Sequence, residues 1–174
     1  MGKKVITTTL DEKNINKAIK ELETYKQQFI KKVDEYRNRI AEEIANSASL
    51  KFSSATMEHT VKGARRKPSV NVHVDNRGSI AVVVADGEDA VWCEFGAGVY
   101  YNGSVGSSPN PYGKDIGFTI GSYGKGYGKG KAWGYYDDTG ELVITRGTPA
   151  SMPMYNSVKE VTKKAIQIAR EVFK

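Results

Sequence analysis

Residues 10–48 read LDEKNINKAIKELETYKQQFIKKVDEYRNRIAEEIANSA, and the spacing of their apolar side chains decides how the rest of the chain must fold. Ile15, Ala18, Leu22, Tyr25, Phe29, Val33, Tyr36, Ile40 and Ile44 follow one another in steps of three and four, which places them on one stripe of an α-helix. Thr9, with Glu12 three residues later, fits a capping box, and NSAS at 46–49 weakens the far end. At 1.5 Å per residue such a helix reaches about 60 Å, more than the diameter of one small domain. It must bend, or rest part of its length on something outside the monomer. Its eight Lys/Arg and eight Asp/Glu cancel, a neutral mixed face that suits protein contact better than DNA. The plainest reading is a core helix with a solvated outer face.

The segment that follows predicts a hairpin. In ARRKPSVNVHVDNRGSIAVVVADG (64–87), Val70, Val72 and Val74 alternate with polar residues, DNRG makes a turn, and Ile80, Val82 and Val84 alternate again, giving two strands with one buried face. His73 then falls on the polar face. EDAVWCEFGAG (88–98) reads as a short helical turn or strand stopped by Gly96 and Gly98, with Trp92 and Phe95 as core anchors. A second hairpin follows in AWGYY, the turn DDTG and ELVIT (132–145). A last helix starts near Ser151 with Pro153 in its first turn, and Met154, Val158, Val161, Ala165, Ile168 and Val172 recur at helical spacing. The expectation is one α+β domain over 1–174: an antiparallel sheet of two hairpins, packed by a long N-terminal and a C-terminal helix.

Between the hairpins, residues 97–131 have no periodicity and are rich in Gly, Ser, Tyr and Asn, so they form a loop or arm far longer than a usual connection. Its core, GSYGKGYGKGKAWGYY (121–136), invites a phosphate-cradle reading, which fails on spacing. A Walker loop needs a glycine six residues before its lysine, and Lys125, Lys129 and Lys131 have Thr119, Tyr123 and Lys125 there. A dinucleotide fingerprint needs its glycines between a strand and a helix, whereas these precede a strand. Nucleophilic catalysis lacks a set as well. His59 and His73 have no recognisable nucleophile and orienting acid, and Cys93 beside Trp92 reads as a small buried hydrophobe. The acid pairs Asp137/Asp138 and Glu88/Asp89 read as turn and helix-start residues. One cysteine and two histidines give neither a disulfide nor a zinc site, so no metal, no cofactor and no enzyme activity are expected.

Charge is polarised along the chain, which holds 26 Lys/Arg against 20 Asp/Glu, a net of +6. Residues 51–67 carry Lys51, Lys62, Arg65, Arg66 and Lys67 against Glu58, and the loop 97–131 carries four lysines against Asp115, while 68–96 are acidic. Basic loops with tyrosines can neutralise phosphates and stack on bases, which makes a nucleic-acid-binding module the competing reading, with Arg65, Arg66 and Lys67 facing DNA. The same loop composition also suits an adaptable protein surface, with Tyr100, Tyr101, Tyr112, Tyr123 and Tyr127 as anchors beside Lys125 and Lys129. The start, MGKKVITTTLDEK, lacks an apolar run for a signal peptide, and Ile6 stands where a myristoylation site needs Ser or Thr. No segment approaches the length of a membrane span. The expected chain is made in the cytosol, soluble, and without a membrane partner.

Four stretches in order, WCEFGAG (92–98), GYGKGKAWGYY (126–136), ITRGTPASMPMY (144–155) and IAREVF (168–173), give the sequence a resemblance to the head–tail joining or tail-completion family of tailed bacteriophages and prophages. The likeness runs from FSSAT at 52–56 to the C-terminus. Ala97 stands where the family usually has Thr, Thr148 where Asn is common, and the Pro-x-Asp-Thr-Gly stretch of other branches is absent. The resemblance implies a structural virion component assembled in the host bacterial cytoplasm. Identical copies would form a hexamer or dodecamer ring in the neck, touching other neck and tail-tube proteins and, non-specifically, passing DNA. Ordering a 30-residue arm costs on the order of 1 to 2 kcal/mol per residue, which neighbouring subunits offset better than a monomer can. The arm is therefore expected to order against a neighbouring copy.

Overall fold

The structure, a computed structural model, describes residues 5–58, 65–98, 108–113, 115, 133–136, 139–145 and 147–174. Three helices and short antiparallel strand pairs make it α+β in outline. In chain order these are α1 (Glu12–Ser54), β1 (Met57–Glu58), β2 (Arg65–Arg66), β3 (Asn71–Arg77), β4 (Ile80–Asp86), α2 (Glu88–Phe95), β5 (Ala97–Gly98), β6 (Trp133–Tyr136), β7 (Leu142–Thr145), β8 (Gly147–Thr148) and α3 (Pro153–Val172). The strands pair as β1–β2, β3–β4, β5–β8 and β6–β7. Among the described residues no ladder joins β3–β4 to β6–β7, against the single sheet expected from the two hairpins. The inner face of β3–β4 rests on α1 and α2.

The 43 residues of α1 make a rod of about 64 Å. Its cap lies two residues beyond Thr9. Asp11 takes that position, its Oδ1 accepting from the Asn14 backbone N–H at 2.9 Å, while the Thr9 hydroxyl donates to Oδ2 at 2.5 Å. The far end does not fray at NSAS but runs on to Ser54. Ala45, Ala48 and Phe52 are buried there, and Ser53 donates its hydroxyl to the Ser49 carbonyl at 2.9 Å. Burying an aromatic ring outweighs a few tenths of a kcal/mol of poor helix propensity per residue. Lys67 closes that end, its Nζ donating to the Ser54 and Ala55 carbonyls at 3.2 Å, where the helix dipole favours a cation.

Two faces of α1 carry the core. One meets α3, where Tyr36, Ile40 and Ile44 pack against Val161, Ile168 and Val172. α3 runs antiparallel to α1, tied by Lys51–Glu160 at 2.7 Å and Arg39–Glu171 at 2.5 Å. The other face sets Ala48 and Phe52 against Cys93, with Val70, Val72, Ala85, Trp92 and Met154 around them. Val158, expected on the buried stripe of α3, faces solvent. Trp92 and Phe95 are half-buried, and the fully buried members of α2 are Ala90, Cys93, Asp89 and Glu94.

The hairpin β3–β4 forms, with a different register from the sequence expectation. Its turn is the two-residue loop Gly78–Ser79, with Arg77 opposite Ile80. Gly78 has φ +62°, a left-handed conformation that glycine adopts without strain. This register pairs Val72 with Ala85 and Val74 with Val83, and it sets Ile80, Val82 and Val84 opposite Arg77, Asp75 and His73, on the other face. The alternation in VVV at 82–84 is ambiguous by one residue, and a one-residue slip exchanges the faces. Gly87, between β4 and α2, has φ +130°, and a Cβ there would lie 2.3 Å from the Ser69 carbonyl oxygen. Only glycine lets the chain pass so close.

Candidate functional site

The stretches WCEFG and ASMPMY, far apart in the chain, lock together at the start of α3. Met152, its N-cap, sits in the left-handed region at φ 52° and makes no side-chain cap, so the first N–H groups of the helix need acceptors from elsewhere. Glu94 supplies them from α2. Its Oε2 accepts from the Met154 N–H at 2.8 Å and its Oε1 from the Tyr155 N–H at 2.9 Å. The Asn110 amide donates to Oε1 at 2.8 Å, and both Glu94 and Asn110 are buried. A buried carboxylate at a helix N-terminus with three N–H donors is compensated by hydrogen bonds and by the dipole. The Cys93 carbonyl accepts from Ser151 and Met152 at 2.8 and 3.2 Å, a second clasp between the same segments. An acid set among apolar residues at 92–95 is the signal by which the sequence could have revealed the pair.

This lock also holds the base of the Gly/Tyr-rich segment. Asn110 fastens residues 108–113 to Glu94, its backbone N–H donates to Ser108 Oγ at 3.2 Å, and its Oδ1 accepts from the Tyr112 N–H at 3.0 Å. Tyr112 is 61% exposed with its ring edge-on to Tyr155, centroids 6.1 Å apart. Of the other expected contact residues, Tyr100, Tyr101, Tyr123, Lys125, Tyr127 and Lys129 lie outside the described residues.

The three cations read as facing DNA have distinct settings. Arg65 is exposed in β2. Arg66 forms a two-pronged pair with Asp89, at 2.5 and 2.6 Å, and Asp89 also accepts from the Ser69 N–H at 2.8 Å. Lys67 closes the end of α1, as described above. Two of the three are thus engaged inside the molecule.

Reactive chemistry has little to work with among the described residues. Burial first, and the nearby Asp89 carboxylate second, push the Cys93 thiol up to about 11, so it stays protonated and unreactive near neutral pH. Asp89, the buried acid of the Glu88/Asp89 pair, is taken by Arg66. His73 Nδ1 lies 3.3 Å from Asp86 Oδ2 on the exposed hairpin face. His59, Asp137 and Asp138 lie outside the described residues. Among the described residues no group of His, Cys, Asp and Glu could hold a metal ion, and no helix is long and apolar enough to cross a membrane.

What the described surface does offer is apolar. Ile15, Ile19, Leu22, Phe29, Ile30 and Val33 of α1 are all exposed, between 39 and 56%. Ile19 and Ile30 fall outside the stripe read from the sequence; the structure adds them by leaving the flank beside it uncovered. Beyond Phe29, which meets Phe173 at 5.8 Å between centroids, α3 no longer reaches. A groove of about 460 Å³ lies at the end of α3, lined by Tyr36, Ala165, Ile166, Ala169 and Phe173 and rimmed by Arg170 and Lys174.

Comparison of the chain with protein-family models, with curated proteins and with solved structures gives no match.

Proposed function

We propose that this chain is a non-enzymatic structural subunit of a phage neck, a tail-completion, tail-terminator or head–tail connector protein that forms a ring between tail tube and capsid connector. The observation that carries this reading is the first half of α1, a helix whose large aliphatic side chains face solvent in the single chain. Soluble monomers seldom expose such a stripe unless another surface covers it. The resemblance of 92–98, 126–136, 144–155 and 168–173 to the tail-completion family supplies the neck. The Gly/Tyr-rich arm at 97–131 acts as the adaptable part, ordering against a neighbouring copy.

Other neck and tail-tube proteins are the further partners, and the ring belongs to the virion after assembly in the bacterial cytoplasm. The nucleic-acid reading has less support, because Asp89 and the end of α1 occupy Arg66 and Lys67. Deleting residues 99–129 should leave a folded chain, by circular dichroism, that no longer joins heads to tails in a complementation assay. Normal joining by the deletion variant sinks the reading. DNA affinity that falls steeply with salt would favour the alternative.

A further inference from the structure

The exposed half of α1 and the groove at the end of α3 are held apart by α1 itself, which reaches the groove at Tyr36. Ile15 and Tyr36 are about 32 Å apart along it at 1.5 Å per residue. A rigid rod does not fold back onto itself, so the stripe of one copy cannot enter its own groove and can enter that of another.

Their chemistry matches. The stripe presents Ile15, Ile19 and Leu22, and the groove presents Ile166, 69% exposed, over Ala165 and Ala169, whose small side chains leave room for a helix to approach. Glu12 and Glu23 flank the stripe, three residues before Ile15 and four after Ile19, and both are exposed. Arg170 and Lys174 rim the groove. An amphipathic helix laid in an apolar groove, with opposite charges along its edge, is a common docking mode.

We infer that the first half of α1, around Ile15, Ile19 and Leu22, inserts into the groove beside Ile166 and Phe173 of a second copy of this chain. The contact joins two different surfaces and is therefore heterologous: each copy offers one arm and one groove, and repetition closes a ring or grows a filament. It deepens the ring reading by naming the surface that meets the neighbour, and rests on that reading only for its biological setting.

The test uses the purified full chain and two exposed substitutions, Leu22→Glu in the arm and Ile166→Glu in the groove. By light scattering, the unsubstituted chain at tens of micromolar should have a mass at least twice the 19.1 kDa of one chain. Each variant alone should be a monomer with unchanged helical circular dichroism. Mixed in equal amounts they should form a two-chain complex that grows no further, because one retains a groove and the other an arm. A monomeric unsubstituted chain, an Ile166→Glu variant that assembles normally, or a mixture that stays monomeric overturns the inference. The neck reading fails on separate grounds, if particles made without this chain still join heads to tails.

Discussion

The two halves of α1 carry the same apolar periodicity and meet opposite fates. From Tyr36 to Phe52 the helix is covered on two sides, by α3 and by the hairpin with α2. From Ile15 to Val33 its large aliphatic side chains face solvent. Amphipathicity states that a face seeks cover and is silent about what provides it. Here the reach of α3, which ends beside Phe29, draws the line between a half that stabilises the monomer and a half left for a partner.

Thiol labelling tests that division with the largest expected effect. Cys93 is fully buried against the covered half, so at neutral pH it should react with a maleimide on the order of a thousand-fold or more slower than a cysteine placed by Leu22→Cys, read in dilute chain by mass spectrometry. Comparable rates would mean that the covered half is not covered. Next, Phe52→Ala should cost about 3–5 kcal/mol in urea unfolding, since it opens a cavity in the core, while Leu22→Ala should stay within about 0.5 kcal/mol in the monomer. If Leu22→Ala proves as costly as Phe52→Ala, something within the chain already covers the outer half.

Glu94→Ala removes the acceptor of the Met154 and Tyr155 N–H groups and strands the Asn110 amide. The expected loss is about 1–3 kcal/mol, with faster amide exchange at Met154 and Tyr155 and none added in the first half of α1. The smallest effect is on pH. Glu160, hydrogen-bonded first by Lys51, and Glu171, bonded by Gln167 and Arg39, both have carboxyls held below the usual value. Their stabilisation is present above the unfolded-state carboxyl pKa and fades as pH falls through the lower folded values. Glu160→Gln should flatten that acid slope in a melting-temperature series, because both ties lie on the covered half. An unchanged slope means that the pair with Lys51 adds nothing in solution.

Much of this was legible beforehand. Steps of three and four announced α1 and α3, valine alternation announced β3 and β4, and the burial of Cys93 followed from its apolar neighbour. The errors were local contests that spacing cannot judge. Asp11 displaced Thr9 as cap because its carboxylate accepts from Asn14 and from Thr9 itself. VVV at 82–84 fits either face of a strand, and the two-residue turn at Gly78 chose between them. Arg66 and Lys67 teach a separate point, because charge in a sequence carries no record of its partner, here Asp89 and the end of α1.

The sequence by itself determined the elements, because helical and strand periodicity, glycine turns and an apolar face are local properties of neighbouring residues. Tertiary structure alone decided that Glu94 crosses 60 residues to cap α3, that Arg66 pairs with Asp89, and that one half of a uniform stripe is buried while the other is open. Those outcomes depend on where distant segments come to rest and how far each one reaches, and chain order does not encode that distance.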